Sequence, residues 1–422
     1  MDLSVIIPAL HEGPNLASLL PQLRQTLAEL GAQSEVLVIT SNLDRQTLAL
    51  ATRCEARVIA PYEPGYGGAL QTGFAVACGK YLLSMDADMS HPPVFIRDLW
   101  NQRLSGEIMI ASRYVAGGHA QMPAGRHVLS RVLNLFFSRG LSLPIRDLSS
   151  GFRLYKAEIV QGQAFVARDL DILQEILVRA YADGRQVREV PFTYAPRQPG
   201  SSQTRLLPFG LAYLRTFWVL WNWRNSILAA DYDDRAYHSP IILQRYWQRQ
   251  RFHHISKLIA HEGPVLDVGC GSSRILGTLP PGSAGLDILL RKLRYARKFS
   301  VPLVQGSAFN LPFEDGAFPC ILCSQVIEHA PKTSTILDEL VRVLRPGGRL
   351  VLGTPDYDRW EWVWIEKLYG WFAPGGYADE HITHYTRRDL IHHFRGRGFT
   401  LEAVHYILRG ELILAFRKPP RK

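Results

Sequence analysis

The sequence predicts an α/β chain of two successive domains, each a mostly parallel sheet covered by helices. Three observations carry this. Short apolar runs alternate with amphipathic segments through the first half. The same alternation restarts after residue 260. Between the two, near residue 200, composition shifts to a polar loop and then an aromatic-rich segment. The 422 residues suit two or three domains of ordinary size, and 47% apolar content is that of a folded chain.

In order, "LSVIIPA" (3–9) and "EVLVIT" (35–40) read as strands, with a helix over 15–30 between them that stops at Gly31. "ARVIA" (56–60) and "YLLSMD" (81–86) are the next strands. "RQPGSSQTR" (197–205) is a polar loop. It precedes "LLPFGLAYLRTFWVLWNWRNS" (206–226), in which Arg215 and Arg224 leave too few apolar residues between them to span a bilayer. An interfacial helix is one reading, with Trp218, Trp221 and Trp223 at headgroup depth and the arginines at phosphates; a helix packed on its own domain is the other. Residues 235–260 read as a basic helical segment. The second strand series follows: "PVLDVG" (264–269), "SAGLDI" (283–288), "VPLVQG" (301–306), "FPCILCS" (318–324) and "GRLVLGTP" (348–355). The domains expected are therefore 1–230 and 261–422, joined by a connector over 231–260.

"MDADMSHPP" (85–93) places Asp86 and Asp88 one residue apart where an apolar strand ends. Carboxylates there are costly unless paired or holding a cation. On extended backbone both leave the same face and suit one hard divalent ion, Mg2+ or Mn2+. Upstream, Gly65, Gly67 and Gly68 open a turn into a helix whose N-terminus favours anions. The net charge of +10 is spread over both halves. That fits anionic ligands or an anionic membrane surface. Nucleic acid is not expected, since no basic run interleaves with aromatics. Cys320 and Cys323 form a lone C-x-x-C without the second pair a zinc site needs, and read as buried thiols of a reducing compartment. The N-terminus does not read as a signal peptide.

Residues 1–205 resemble the family 2 glycosyltransferases, in the dolichol-phosphate mannosyltransferase and polyprenyl-phosphate branch. The matching stretches are "VIIPALHE" (5–12), "GYGGALQTGF" (65–74), "MDADMSHPP", "ASRYVAGG" (111–118), "DLSSGFRLYK" (147–156) and "VPFTYAPRQPGSS" (190–202). The resemblance implies a GT-A fold. It implies a donor such as GDP-mannose or a UDP-hexose, with Pro8, Ala9 and Glu12 by the nucleotide and Asp86 and Asp88 on the metal. It places Arg113, Arg153 and Arg197 at phosphates, and Ser149, Ser150 and Gly151 near a polyprenyl phosphate acceptor. An acceptor phosphate is already largely dianionic at neutral pH, so no general base is needed. Thr40 and Ser41 stand where the family has an aspartate pair, Gln203 where it has a lysine, and Ser90 where it often has an amide.

"VLDVGCGSSRIL" (265–276) is a strand, a glycine turn and a helix. Arg274 replaces the last glycine of a dinucleotide fingerprint. With "LPFEDGAF" (311–318), "CSQVIEH" (323–329) and "LRPGGRLVLGTP" (344–355), it resembles the class I S-adenosylmethionine methyltransferases, a Rossmann-like fold. The resemblance implies Gly269 and Gly271 at the amino-acid end of the cofactor, Asp287 on the ribose, and Ser307 and Ala308 by the adenine, with Asp267 also a cofactor-binding residue. Glu328, His329, His381 and His384 are candidate bases for an oxygen acceptor, and the Trp-rich 359–372 reads as an acceptor pocket, a membrane-facing lid or a buried helix. The expectation is a bifunctional enzyme at the cytoplasmic membrane face. The alternative is a methyltransferase whose first half only binds lipid or serves as a scaffold.

Overall fold

The structure is a computed structural model. It describes the chain apart from residues 10–11, 42–44, 195–205, 373–380 and 422, and apart from the side chains at 46, 126, 206–215 and 368–372. Two compact units emerge, residues 1–181 with 185–224, and residues 182–184 with 225–422.

The strands of the first unit are β1 (Leu3–Pro8), β2 (Ser34–Ile39), β3 (Ala56–Ile59), β4 (Tyr81–Ser84), β5 (Ile108–Ser112), β6 (His119–Ala120), β7 (Arg153–Lys156), β8 (Val187–Pro191) and β9 (Thr193–Tyr194). Seven form one sheet in the order β3-β2-β1-β4-β7-β5-β8, while β6 and β9 pair separately. The first four are parallel, as their apolar runs predict. The sheet is mixed, however, because β7 runs antiparallel between β4 and β5. That reversal has a consequence for the site. Ser84, the last residue of β4, pairs with Arg153, the first of β7. The loop entering β7 therefore lies beside the turn leaving β4. Two apolar clusters, one on each face, bury the sheet. Helix Gly13–Leu30 ends at Gly31, whose φ of 67° is the left-handed conformation glycine adopts most cheaply.

The second unit holds β10 (Val265–Val268), β11 (Ala284–Asp287), β12 (Leu303–Gln305), β13 (Phe318–Ser324), β14 (Leu344–Pro355), β15 (Thr400–Ile407) and β16 (Glu411–Arg417). Their order is β12-β11-β10-β13-β14-β16-β15, with β16 antiparallel to both neighbours. Cys320 and Cys323 are buried free thiols in β13. The stretch 231–260 differs from a connector. It forms two helices, Tyr232–Tyr237 and Ile242–Ile259, separated at Ser239-Pro240, and both belong to the second unit. Ile255 and Ile259 enter its core, and the Arg251 guanidinium is bidentate on the buried carboxylate of Glu411.

Helix Leu206–Asn225 differs from the interfacial reading over its described half. Trp218 is 61% exposed, but Trp221 and Trp223 pack on the first unit's core. Arg224, expected at a phosphate, is buried and donates to the carbonyls of Leu141 and Ser142 at 3.0 Å each. Those carbonyls follow helix Ala124–Gly140, so Arg224 closes its C-terminal end rather than facing solvent. The side chain of Arg215 lies outside the described residues. Among the described residues, no helix is long and apolar enough to cross a membrane.

Candidate active sites

In parallel sheets, ligands gather at carboxyl ends where strand order reverses. In the first unit that point lies between β1 and β4. Pro8 ends β1, and Ala9 follows with its N–H on the Ile39 carbonyl at 2.9 Å. Glu12 precedes helix Gly13–Leu30 and accepts from Asn15 at 2.5 Å. Thr40, just past β2, is buried, with its N–H on the Ile59 carbonyl at 3.0 Å.

Asp86 and Asp88 lie just past β4, on the turn after Ser84 and not on extended strand backbone. Met89 in that turn has a φ of 63°. Asp86 faces a cavity of about 170 Å³ that it shares with Tyr66, Arg113, Ser149, Ser150 and Gly151. Asp88 Oδ1 accepts from the N–H and hydroxyl of Ser90, at 3.1 and 2.5 Å. His91, which the sequence reading passed over, is stacked on Phe152 at 4.9 Å, and its Nδ1 accepts from the Asp86 N–H at 2.9 Å.

The loop entering β7 is fixed from several sides. Asn134 Oδ1 accepts from the N–H groups of Leu148 and Ser149, and its amide donates to the Ser149 hydroxyl. Arg113 forks onto Asp147 at 2.7 and 2.6 Å and reaches the Ser149 hydroxyl at 2.7 Å. Burial works against the Arg113 charge, but Asp147 outweighs it and holds the guanidinium above its ordinary range. Arg153 is a correction. Expected at a phosphate, it is fully buried, and its guanidinium donates to the carbonyls of Leu148, Ser150 and Leu173 at 2.6, 2.7 and 2.7 Å. It shapes the loop and does not line the cavity that Asp86 faces. Gly151 has to be glycine for a local reason: a Cβ there would sit 2.6 Å from the Tyr66 hydroxyl and 3.3 Å from Asp86 Oδ1. Arg197 lies outside the described residues.

In the second unit the switch point lies between β10 and β13. A cavity of about 590 Å³ opens there, lined among others by Asp267, Gly269, Gly271, Asp287, Ser307 and Ala308, the six residues expected at a cofactor. Gly269 and Gly271 have φ of 71° and 53°. A Cβ on Gly269 would meet Val326 at 2.2 Å. Gly271 donates to Asp287 Oδ2 at 2.8 Å, and Leu289 donates to Asp287 Oδ1 at 2.7 Å. Ser307 accepts at its hydroxyl from the Phe309 N–H at 3.2 Å. A third carboxylate, Asp233, was missed by sequence reasoning. It reaches the glycine turn from helix Tyr232–Tyr237, accepting from Ser272 and from Lys292 Nζ at 3.0 Å each. Its only sequence signal was a paired acid in "DYDDR", far from any motif.

Burial, then the neighbouring Asp287 and Asp233, push the Asp267 carboxyl up to about 8. With Asp233 paired to Lys292, Asp267 and Asp287 are left to favour a cation at the turn, Asp267 once it is ionised. His329 also lines this cavity. Glu328 does not: it is fully buried, with its Oε2 accepting from Thr354 at 3.2 Å, and burial pushes it up to about 8. His381 is drawn to Glu366 and Tyr357, and His384 stacks on Tyr357 at 3.9 Å. Helix Trp360–Phe372 supplies Glu366. Its Trp362 is buried, while Trp360 and Trp364 are exposed, so over its described side chains it is not a wholly buried helix.

A family model described as glycosyl transferase family 2 matches residues 4–162, and one described as a methyltransferase domain matches residues 266–352. The chain joins a family 2 glycosyltransferase domain to a methyltransferase domain. A dolichol-phosphate mannosyltransferase of Pyrococcus furiosus is 32% identical over 238 residues, 54% of this chain and 66% of that protein. A low-salt glycan biosynthesis hexosyltransferase of Haloferax volcanii is 28% identical over 225 residues, 50% of this chain and 52% of that protein. The chain thus spans no more than 66% of the length of either relative. A solved structure of glucosyl-3-phosphoglycerate synthase from Mycobacterium tuberculosis is 19% identical, covering 52% of this chain and 79% of its own, with a TM-score of 0.41. The two α/β folds read from the sequence are those of the glycosyltransferase and methyltransferase domains.

Proposed function

We propose that the glycosyltransferase domain moves a sugar from a nucleotide sugar, GDP-mannose or a UDP-hexose, onto a polyprenyl phosphate, and that the methyltransferase domain moves a methyl group from S-adenosylmethionine to a glycan or lipid acceptor. The observation that carries the first half is Asp86 facing the cavity beside the pinned loop 147–151. The carboxylates there suit a hard divalent ion, Mg2+ or Mn2+, with Asp86 as the cavity-facing ligand and Asp88 two residues on, and His91 lines the same cavity with its Nε2 3.8 Å from Asp86 Oδ2. Such an ion would neutralise the departing diphosphate. Tyr66, Ser149 and Ser150 position donor and acceptor groups in the cavity. Arg113, although forked on Asp147, keeps its guanidinium at the cavity wall and adds positive potential for phosphates.

A membrane-face acceptor is favoured by helix Ala124–Gly140. Its inward face supplies Ser130 and Asn134 to the site, whereas Val128, Leu129, Val132, Leu135 and Phe136 are exposed along the other. Arg131 and Arg139 lie on the same outward side. An apolar stripe flanked by arginines on the helix that also shapes the cavity is what an enzyme acting on a membrane-held phosphate requires. Peripheral attachment at the cytoplasmic face is part of this reading.

In the methyltransferase domain Asp267 and Asp287 are complementary to the α-ammonium and sulfonium of S-adenosylmethionine. Ionised Asp267 would hold the ammonium, the glycine turn would admit the backbone, and Asp287 would hold the ribose. The chain's own residues align the bound donor with its acceptor, which is the main requirement of methyl transfer. The test is a screen of radiolabelled nucleotide sugars with polyprenyl phosphate, beside calorimetry with S-adenosylmethionine. Lipid-linked label and cofactor binding support the reading; tight nicotinamide binding in place of S-adenosylmethionine overturns its second half.

A further inference from the structure

Just past β13, three side chains able to ligate a metal converge. Glu328, His329 and His381 each place a donor atom within 4.8 Å of the other two. The backbone holds them together, because the N–H groups of Ile382 and Thr383 donate to the Glu328 carbonyl at 2.9 and 3.0 Å. Glu328 is 0% exposed, and its Oε1 has no hydrogen-bond partner among the described residues. A buried carboxylate oxygen left so is costly, and a cation is one remedy. His381 Nδ1 lies 3.0 Å from Glu366 Oε1 and 2.7 Å from the Tyr357 hydroxyl. When Nδ1 donates its proton to a carboxylate, Nε2 carries the lone pair, the arrangement found behind metal-bound histidines. His329 lines the same cavity as Asp267 and Asp287.

We propose that Glu328, His329 and His381 bind one divalent ion of the zinc or manganese class at the edge of the methyl-donor cavity, where it takes the oxygen of the methyl acceptor. Two imidazoles and a carboxylate with open positions are a catalytic donor set for such ions. Bonds of about 2.0–2.1 Å hold tetrahedral ligand atoms roughly 3.3 Å apart, so side-chain rotations on the order of an ångström complete the shell. This rests on the methyl-transfer reading for its role, though not for its existence. The acceptor hydroxyl binds the ion and releases its proton to water. Its oxygen then forms the bond to the methyl carbon as the carbon–sulfur bond breaks and the sulfonium becomes a thioether. The ion lowers the hydroxyl pKa, so neither His329 nor His381 need act as the base.

The experiment is equilibrium dialysis of Zn2+ against the metal-stripped full chain. It is made in a D86N/D88N background so that the acidic pair of the first domain does not contribute. One Zn2+ per chain is expected, and E328Q and H381A should each weaken it by about ten- to a hundredfold. Glu366→Gln should weaken it by about tenfold, the lower end of the loss expected when an outer partner is removed. Binding of S-adenosylmethionine by each variant reports an intact domain, and should H381A not fold, the near-isosteric E328Q decides. Zn2+ binding indifferent to E328Q, or none to a chain that binds the cofactor, overturns the site and leaves the methyl-transfer reading standing. Zn2+ binding that obeys these substitutions in a chain that ignores S-adenosylmethionine sinks that reading and leaves the site.

Discussion

Past β4 in the glycosyltransferase domain, Asp86 shares its cavity with a guanidinium and a ring of hydroxyls. Past β10 in the methyltransferase domain, Asp267, Asp287 and Asp233 crowd a glycine turn, with Lys292 bonded to Asp233. Both sites use the same property of a parallel sheet, the reversal of strand order. They differ in charge logic. On the proposed function, the first would present carboxylate oxygen to an anionic diphosphate and would need a cation as intermediary. On the same proposal, the second would present carboxylates to a ligand that is itself a cation, so that none of these three would need a metal. Fold decides where each site is; the sign of the ligand decides what lines it.

The sharpest break of this comparison is D86N. Sugar transfer should fall at least about a hundredfold, because a metal ligand is lost where charge leaves. S-adenosylmethionine binding should not change. Equal transfer by the variant and the parent would remove the metal from the account.

D287A should weaken S-adenosylmethionine by about ten- to a hundredfold, the worth of about 1.5–3 kcal/mol for hydrogen bonds to a charged group. Calorimetry reads it, and an unchanged affinity would move the ribose elsewhere.

Asp267 supplies a pH test. Its carboxyl sits at about 8 in the free protein against an ordinary 3.8, raised by burial and then by Asp287 and Asp233. An ammonium needs the ionised form, so binding should expel a proton. Affinity should rise by up to about tenfold per pH unit between about pH 6 and about pH 7.5, below the 7.7–8.0 range in which an α-amino group loses its own proton. For folding the sign is opposite. The raised carboxyl holds a proton that the unfolded chain gives up, so its contribution is full below 3.8 and is lost as pH climbs through about 8. Affinity flat with pH in D267N and falling with pH in the parent would reverse the assignment.

The mildest change is V132E with L135E on the exposed stripe. Stability should stay within about 0.5 kcal/mol, as surface changes do. Binding to anionic vesicles and lipid-linked transfer should fall several-fold together. Vesicle binding equal to the parent's would place the membrane contact on another surface.

Much of this was legible in the residues. β13 spans 318–324 as its apolar run predicts, and β1, β2 and β10 lie within a residue or two of their ends. The D-x-D pair and the glycine turn announced the two sites, because few other roles put acids or φ-permissive residues at a strand end. Other features were hidden for physical reasons. The roles of Arg153 and Arg224 depend on which carbonyls the tertiary fold leaves unpaired, and an arginine closing a loop reads like one binding phosphate. Asp233 and Asn134 act across 39 and 15 residues of chain, a distance no spacing rule covers. The outward stripe of helix Ala124–Gly140 mixes with inward Ser130 and Asn134, so its apolar residues resemble an ordinary core face until the fold shows which side is covered.

The most direct test of two sites with opposite charge logic is a crossed calorimetric titration. The parent, D86N and D287A chains are each titrated with a nucleotide sugar plus Mn2+ and, separately, with S-adenosylmethionine. D86N is expected to lose only the first heat and D287A only the second. Loss of both in either variant, or nucleotide-sugar binding that survives D86N unchanged, would contradict opposite charge logic at the two sites.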